Sequence, residues 1–450
     1  MSKIAFLHNA LGKTDGVSLE VDKWRTVLEK LGHEVFYIAG NNDNERVLCI
    51  PELSFYHKQT KKEIENATVR LVDYENGIEL ISDINNSAKI IKEKLYQIIK
   101  ENNIEIIIPN NLMSVGYHIA ALKAIYEFII ETNIKTICHN HDFYFEDSGE
   151  VEPTCIEVAD ILEKLAPPNI KNVKNLVINS IAQKALFDKK HIKADIVPNV
   201  FDFEMNKWSV DDYNKTFLKD FNIAENDIIF LQATRVMDRK GIELAIDVVD
   251  SLNENKSKLI GKKLYNGKYI NENSKIILLC AGIVESFGIS SDYVNKLIKK
   301  AETKKVDIRF IGDRVAHSRN MVNGKKIYSL WDSYVYSDFV TYPSIWEGFG
   351  NQFIEAVFAK LPIIAFEYPV YISDLKNKGF KIVSLGDEFS RDTDNLVCVK
   401  EDILSKVSKE VISILLNSDL ETNIVEDNYN IARKNYSYNS LEKLIESLNL

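Results

Sequence analysis

The sequence predicts an α/β protein with two doubly wound domains, each built on a parallel sheet with helices on both faces. Short apolar runs alternate with helical segments along most of the 450 residues, which is typical of βαβ units. The alternation stops in a polar and aromatic stretch near 200–222 and then restarts, which indicates a division of the chain. We therefore expect an N-terminal domain over 1–200 and a second domain over 201–425.

The first domain is predicted from a series of apolar runs. It begins with a strand over Lys3–His8, a helix over Gly16–Leu31 and a strand over Glu34–Ala39. Four further strands are predicted, at Ile104–Pro109, Ile134–Asn140, Asn175–Asn179 and Ala194–Asn199. Residues 41–82 depart from this pattern because they are polar and interrupted by Pro51, and we expect an excursion of short strands there.

The second domain repeats the alternation. Its strands are predicted at Ile228–Thr234, Lys275–Gly282, Val306–Gly312, Ser337–Pro343 and Leu361–Glu367. Helices are predicted to begin near Gly241 and Asn351 and to end near Lys305. The last segment, 426–450, is predicted to be a terminal helix that returns to the first domain.

Composition and charge exclude several classes of protein. The chain has 56 Lys and Arg against 66 Asp and Glu, a net charge of −10, which disfavours binding to nucleic acid or to an anionic membrane. The apolar runs Ile4–Leu7 and Ile276–Val284 are too short for a signal peptide or for a membrane helix of ~20 residues. Five scattered cysteines without a CxxC pair indicate neither a disulfide framework nor a zinc site. We therefore expect a cytoplasmic protein.

Polar residues follow two strands of the first domain, at the sheet edge where doubly wound folds bind ligands. The loop after the first strand ends at Gly16, where helix amides either hold a phosphate or form a plain turn. Another strand ends in His141-Asp142, which is either an active-site histidine oriented by a carboxylate or a structural histidine. His139 and His141 are expected to face opposite ways, so no metal site is predicted from this pair.

The densest polar constellation belongs to the second domain. Arg235, Arg239 and Lys240 follow its first strand and predict an anion site. Arg239 is expected to point to solvent, so that its replacement by alanine would change the rate less than about fivefold. Glu347 and Glu355 bracket glycines at the start of a helix, which suits a ligand with phosphate between two hydroxyl-bearing groups. A nucleotide sugar fits that description, and a hydrolase acid/base pair is the alternative.

These motifs together give a specific resemblance. The E-x7-E pattern from Glu347 to Glu355, combined with the upstream segments TRVMDRKG and VPNVFDF, resembles glycosyltransferase family 4. Members of this family are retaining nucleotide-sugar transferases of the GT-B fold, in which two Rossmann-like domains face each other across a cleft. The resemblance covers essentially the whole chain, and the segment after Glu347 is similar to members that make glucosylglycerate- or mannosylglycerate-type solutes.

The resemblance implies a role for each matching residue. Glu355 would accept the ribose hydroxyls, and Arg235 and Lys240 would hold the donor diphosphate. His141 would line the sugar site, and Gly16 would lie near the phosphates or the acceptor. The transferred sugar and its phosphate would contact Glu347 and the amides around Phe349, Gly350 and Asn351. Catalysis would therefore depend on His141, Arg235, Lys240 and Glu347.

The implied activity is transfer of a hexose from a donor of the GDP-mannose or UDP-glucose type to a hydroxyl of a small or glycan acceptor, without metal or cofactor. Asp392 and Asp394 mimic the DxD metal motif of the other transferase fold and are interpreted as surface residues. One alternative is a GT-B enzyme of different chemistry, such as a nucleotide-sugar epimerase or a phosphorylase. The other is a cytoplasmic sugar-binding protein, for which Arg235 and Lys240 would have no purpose.

Overall fold

Two units make up the chain in the computed structural model. The first joins Met1–Val200 to Tyr436–Leu450, and the second comprises Phe201–Asn435. The structure describes residues 1–12, 16–42, 45–146, 151–284 and 289–450. Each unit has a parallel sheet of its own.

The first unit is built on a sheet of seven described strands. They are β1 (Lys3–His8), β2 (Glu34–Ala39), β3 (Val47–Cys49), β4 (Ile106–Pro109), β5 (Lys135–Asn140), β6 (Val173–Val177) and β7 (Ala194–Ile196). All are parallel, in the order β3-β2-β1-β4-β5-β6-β7. Its helices are α1 (Gly16–Lys30), α2 (Lys58–Thr68), α3 (Gly77–Asn102), α4 (Ile119–Thr132), α5 (Ile156–Leu165) and α6 (Ser180–Lys190).

The second unit contains the larger number of short strands. These are β8 (Ile228–Gln232), β9 (Ile276–Cys280), β10 (Asp307–Phe310), β11 (Val315–Ala316), β12 (Asn320–Val322), β13 (Lys325–Ser329), β14 (Phe339–Tyr342), β15 (Ile363–Ala365), β16 (Val383–Ser384), β17 (Ser390–Arg391) and β18 (Val397–Cys398). The main sheet is parallel in the order β10-β9-β8-β14-β15-β16, with β11-β13-β12 and β17-β18 as small additional sheets.

Helices accompany these strands along the second unit. They are α7 (Phe217–Asp220), α8 (Ile242–Glu254), α9 (Ile289–Lys304), α10 (Leu330–Tyr336), α11 (Asn351–Phe358), α12 (Glu401–Leu415) and α13 (Ser418–Asn435). A last helix, α14 (Tyr438–Ser447), follows at the end of the chain. Among the residues that the structure describes, no helix is both long enough and apolar enough to cross a membrane.

Strand β1 shows why the first sheet is covered on both faces. Ala5 and Leu7 pack in one apolar layer, which includes α3 and α4, whereas Ile4 and Phe6 pack in the layer that includes α1. Successive side chains of a strand alternate between faces, so a run that is apolar at every position is buried on both sides. The prediction of doubly wound parallel sheets is confirmed.

Helix α14 covers part of the first sheet, although it is separated from the rest of that unit by the whole second unit in sequence. Leu441 and Ile445 are buried in the same apolar layer as Trp24 of α1. Burying an aliphatic side chain of this size contributes about 1.5–3 kcal/mol. Glu442 also pairs with Lys30 at 2.6 Å. The second apolar face of the first unit is therefore completed by the last helix of the chain.

The expectation of short strands over 41–82 is wrong except at β3, because the longest described elements of the segment are helix α2 and the start of helix α3. Helix α2 buries polar side chains, which hides its helical periodicity from a search for apolar residues. Glu63 accepts a hydrogen bond from Ser87 Oγ at 2.6 Å, and Asn66 donates to Asp73 at 2.7 Å. Buried polar groups are stable when they are hydrogen-bonded in this way.

The polar and aromatic stretch near 200–222 packs within the second unit. Phe201 and Phe203 lie 4.9 and 5.8 Å from Phe358, measured between ring centroids. Trp208 stacks on Trp331 at 5.2 Å. The stretch lacks strand periodicity because its aromatic side chains pack against α10 and α11.

The buried side chain of His118 is expected to make the stability of the first unit depend on pH. Its Nε2 donates to the carbonyl of Glu52 at 2.8 Å, and its Nδ1 accepts from the amide of Ala121 at 3.3 Å, so the neutral ring is fully satisfied. Burial lowers the pKa of His118 from 6.5 to about 4. Between these values the unfolded chain binds more protons, so this contribution to the free energy of unfolding falls as the pH drops below about 6.5.

Lowering the pH from about 7 to about 5 should reduce the free energy of unfolding of the wild-type chain. We expect this reduction to be about 2 kcal/mol smaller in His118→Gln. Denaturant unfolding at both pH values measures this difference. His317→Gln is the control, since His317 is exposed, and it should keep the wild-type sensitivity. An identical acid loss in His118→Gln and the wild-type chain would contradict the prediction.

Candidate active site

The candidate site lies at the carboxyl ends of β8 and β14, where the strand order of the second sheet reverses. The connections after two such strands lead to opposite faces and leave a crevice in which doubly wound folds bind ligands. Thr341 Oγ1 donates to Gln232 Oε1 at 2.7 Å, which ties the two strand ends together. The loops that follow these strands carry the predicted cations and the predicted glutamates.

The two loops are joined through their backbones. The amide of Ile345 donates to the carbonyl of Arg239 at 2.9 Å. Gly241 has a φ of +57°, and a Cβ at this position would lie 2.4 Å from the carbonyl oxygen of Pro343. Only glycine fits such a close approach without a shift of the backbone. The loops are thus held in a fixed relation to each other.

Three charged side chains form an ion triad between these loops, namely Arg239, Lys240 and Glu347. Lys240 Nζ donates to Glu347 Oε1 at 2.5 Å, and Arg239 Nη1 donates to Glu347 Oε2 at 3.1 Å. The side chains of Lys240 and Glu347 are only 6% and 9% exposed. A buried ion pair of this kind is stable only while both partners are present.

Burial and charge act on the triad in different directions. Burial alone would raise the pKa of Glu347, but the charges of Lys240 and Arg239 hold that pKa below its ordinary value. Burial lowers the pKa of Lys240, and the carboxylate of Glu347 offsets part of this effect. Glu347 therefore helps to keep a positive charge on a lysine that is removed from water.

The expectation that Arg239 points to solvent is wrong. Its side chain is 35% exposed, and its Nη1 also donates to the carbonyl of Trp346 at 2.9 Å. The reason is the neighbouring carboxylate, which binds two cations at once. Arg235, predicted to bind the same anion, lies exposed on the same loop.

The glycine loop, defined as Gly348–Gly350, is hydrogen-bonded to a buried tyrosine. Tyr368 Oη donates to the carbonyl of Phe349 at 2.7 Å. Gly350 has a φ of +121°, and a Cβ there would lie 2.4 Å from Tyr368 Oη. The next residue, Asn351, begins α11. A glycine is needed to bring the loop onto this tyrosine and into the helix.

Glu355 lies on α11, one turn beyond its start, and contacts a second buried tyrosine. Tyr334 Oη donates to Glu355 Oε2 at 3.1 Å. Tyr334 and Tyr368 were not predicted as site residues, because a tyrosine in an apolar run is indistinguishable in sequence from a core residue. Their hydroxyl partners become visible only in the structure.

His141 belongs to the first unit, directly after β5. It is 8% exposed, and its backbone amide donates to Asn111 Oδ1 at 2.7 Å. The expectation that His139 and His141 face opposite ways is wrong, since their rings lie 4.4 Å apart. Residues two apart on a strand share a face. Burial holds the pKa of both rings below the ordinary value, which favours neutral imidazoles.

Gly16, the other predicted residue of the first unit, is the first residue of α1. A Cβ at this position would meet nothing within 4 Å, so no close contact in the described residues requires glycine there. Two of the predicted site residues, Lys240 and Glu347, are in direct contact in the structure. Arg239, the sequence neighbour of Lys240, also binds Glu347, which was not predicted.

Asp392 and Asp394 lie in the turn between β17 and β18. Asp392 Oδ1 accepts hydrogen bonds from the amides of Asp394 and Leu396, both at 2.9 Å, and Asp394 pairs with Lys299 at 3.1 Å. These contacts are those of a turn on the surface, as the sequence predicts. In the part of the chain that the structure describes, no three His, Cys, Asp or Glu side chains are grouped so that they could hold a metal ion.

Comparisons with known proteins identify the family of the chain. Residues 214–384, which include the ion triad and Glu355, match the family model "Glycosyl transferases group 1". The chain is 38% identical to the mannosylglucosylglycerate synthase of Petrotoga mobilis over 92% of this chain and 94% of that protein. It is 36% identical to the mannosylglucosylglycerate synthase of Thermotoga maritima over 98% of both chains.

Solved structures show the same fold at low sequence identity. A sucrose-phosphate synthase from Thermosynechococcus elongatus has a TM-score of 0.59 and 12% identity, covering 100% of this chain and 98% of its own. WaaG, a glycosyltransferase involved in lipopolysaccharide biosynthesis, has a TM-score of 0.57 and 12% identity, covering 99% of both chains. These likenesses confirm the predicted GT-B fold.

Proposed function

The chain belongs to the group 1 glycosyl transferases, and from this premise we propose that it transfers a mannosyl group from a nucleoside-diphosphate sugar to glucosylglycerate. The fold and the family make it a glycosyltransferase. The choice of sugar and acceptor rests on the two relatives named as mannosylglucosylglycerate synthases. A product of that name results when a mannosyl group is added to glucosylglycerate.

The ion triad is the observation that carries the proposed chemistry. Lys240 has three N–H donors, and its hydrogen bond to Glu347 uses one of them. Arg235 lies exposed on the same loop. A donor diphosphate held by these cations would leave with negative charge developing on its oxygens. Fixed positive charge in a site removed from water stabilises that charge, as donors do in an oxyanion hole.

We further propose that the sugar keeps its anomeric configuration. The bond between the sugar C1 and the diphosphate oxygen breaks, and the acceptor oxygen forms a bond to C1 from the same face. The acceptor proton passes to the departing diphosphate. A covalent intermediate on Glu347 is disfavoured, because this carboxylate is bound by two cations. A covalent intermediate on Glu355 is disfavoured as well, because this carboxylate lies on a helix and is hydrogen-bonded to a tyrosine. The same contacts argue against a hydrolase pair.

Product analysis tests this proposal. Purified protein is incubated with nucleoside-diphosphate mannose, with and without glucosylglycerate, and the products are identified by NMR. We expect a mannosylated product with retained configuration that forms only when the acceptor is present. Conversion of the donor alone to another nucleotide sugar would indicate an epimerase. Binding of the donor without turnover in the presence of the acceptor would indicate a sugar-binding protein.

We also propose that the reaction needs no metal ion, because cations of the protein lie in the loop after β8. Arg235, Arg239 and Lys240 supply the positive charge that a divalent ion provides in other transferases. We expect the initial rate to change less than twofold after dialysis against excess EDTA, measured in metal-free buffer. A loss of activity that magnesium or manganese restores would contradict this prediction and would direct attention back to Asp392 and Asp394.

Glu355 is proposed to accept hydrogen bonds from the ribose hydroxyls of the donor. Replacing it by glutamine removes the charge while keeping the shape of the side chain. A hydrogen bond to a charged group contributes ~1.5–3 kcal/mol, so we expect the donor KM to rise about ten- to a hundredfold, with a smaller change in kcat. Steady-state kinetics with varied donor measures both constants. An unchanged donor KM in a folded variant would remove Glu355 from the donor site.

A further inference from the structure

Helix α10 carries a buried tyrosine whose hydroxyl meets the carboxylate of Glu355. We propose that Tyr334 is a positioning residue for donor binding, which holds Glu355 in the orientation that accepts the ribose. This inference rests on the proposed role of Glu355 and extends it to a residue outside the loops of the site. Tyr334 Oη lies 3.1 Å from Glu355 Oε2 and 3.5 Å from the backbone oxygen of Gln352.

The chemistry of the contact determines its direction. A phenol has one proton, and a carboxylate is a stronger acceptor than a backbone carbonyl, so the proton is directed at Glu355. Burial raises the pKa of Tyr334 well above its ordinary value, and the charge of Glu355 adds to this effect. Tyr334 therefore keeps its proton at neutral pH and acts as the donor.

The contact leaves the carboxylate able to act on a ligand. A carboxylate has two oxygens with about four lone pairs in total, so one bond from a tyrosine does not compete with bonds from ribose hydroxyls. It does restrict the rotation of the glutamate side chain. Fixing a flexible side chain before the ligand arrives lowers the entropy lost on binding.

The tyrosine itself is held rigidly. Its side chain is 2% exposed, and its ring lies 5.2 Å from the indole of Trp208. The first turn of α10 is closed by a capping box between Ser329 and Asp332. Arg319 donates two hydrogen bonds to Asp332, from Nε to Oδ2 at 3.1 Å and from Nη2 to Oδ1 at 2.5 Å. A hydrogen-bonding side chain on a well-packed helix can hold its partner in place more accurately than one on a loop.

Tyr334→Phe removes only the hydroxyl and keeps the ring in the aromatic cluster. With a ribonucleotide sugar donor, we expect the donor KM to rise about tenfold, while kcat and the acceptor KM stay within about twofold. With a donor that lacks the 2′- and 3′-hydroxyls, the same substitution should change the KM less than about twofold. A residue that only stabilised the fold would affect both donors and both substrates alike.

Tyr336→Phe is the matched control on the same helix. Its single hydroxyl proton is directed at the carbonyl of Asn214, at 2.9 Å, and not at Glu355. We expect its donor KM to stay within twofold of the wild-type value. Melting temperatures of both variants are measured first, and all kinetics are run well below the lower one, so that loss of folded protein does not enter the comparison.

Two results would overturn the inference. One is an unchanged KM for the ribonucleotide donor in Tyr334→Phe, and the other is an equal rise for the donors with and without ribose hydroxyls. Glu355→Gln separates this failure from a failure of the proposed function. If Glu355→Gln raises the donor KM and Tyr334→Phe does not, the positioning role alone is wrong. If neither acts, the ribose site is wrong and the inference falls with it.

Discussion

Replacing Lys240 by alanine is expected to lower kcat about 10²–10³-fold, with a smaller rise in the donor KM. The ammonium group is buried beside Glu347 at the carboxyl end of β8, where a diphosphate would leave with growing negative charge. Its interaction with the phosphate oxygens strengthens as the bond to the sugar breaks, so its loss affects the transition state more than the bound substrate. Steady-state kinetics measures both constants, and circular dichroism confirms folding.

Two control variants accompany this measurement. Lys262→Ala removes an exposed lysine of the second unit, and we expect no change in rate beyond twofold. Arg239→Ala removes a cation that binds Glu347, so we expect about a tenfold loss of rate, in place of the smaller loss predicted for a solvent-facing arginine. Equal and small effects of all three substitutions would show that the donor phosphate binds elsewhere.

Replacing Glu347 by glutamine is expected to reduce both stability and activity. The substitution leaves Lys240 buried without its counter-charge, which typically costs about 3–5 kcal/mol of folding free energy. Burial already lowers the pKa of Lys240, and the loss of Glu347 lowers it further. The remaining activity should therefore begin to fall at a lower pH than that of the wild-type chain, because Lys240 releases its proton sooner as the pH rises.

A double variant separates these two effects. Replacing Lys240 by methionine and Glu347 by leucine removes both buried charges, and such exchanges are often neutral or stabilising. We expect the double variant to recover most of the stability lost in Glu347→Gln but none of the activity. Denaturant unfolding and initial rates provide the two readouts. Recovery of activity in the double variant would mean that the pair serves only the fold.

The sequence predicts the parallel strands well, because burial on both faces makes most of their positions apolar. Strand β1 and strand β2 have the predicted bounds, and β8 and β14 differ only at their ends. The loops of the candidate site were predictable for the same reason, since ligand-binding residues follow such strands. The GT-B fold was expected from the family resemblance of the motifs in these loops. Helix α2 was not predictable, because three of its four buried residues are hydrogen-bonded polar residues.

Within the site, residue types could be predicted but not their partners. The charges of Lys240 and Glu347 suggested an anion site and a sugar site, and the structure shows that they bind each other. Arg239 could not be placed, because whether a loop arginine faces water depends on a carboxylate more than a hundred residues away. Tyr334 and Tyr368 carried no signal, since their hydroxyl contacts are formed between distant segments.

The position of α14 has a consequence for the synthesis of the protein on the ribosome. The apolar layer that contains Phe6 and Trp24 is completed by Leu441 and Ile445, which are translated only after all of Phe201–Asn435. The N-terminal part of the nascent chain must therefore wait, with an uncovered apolar surface, while the later unit is made. Such a surface is a natural target for chaperones during translation. Moving 436–450 ahead of Met1 by circular permutation would let this part mature first, and we expect it to shorten that exposed interval.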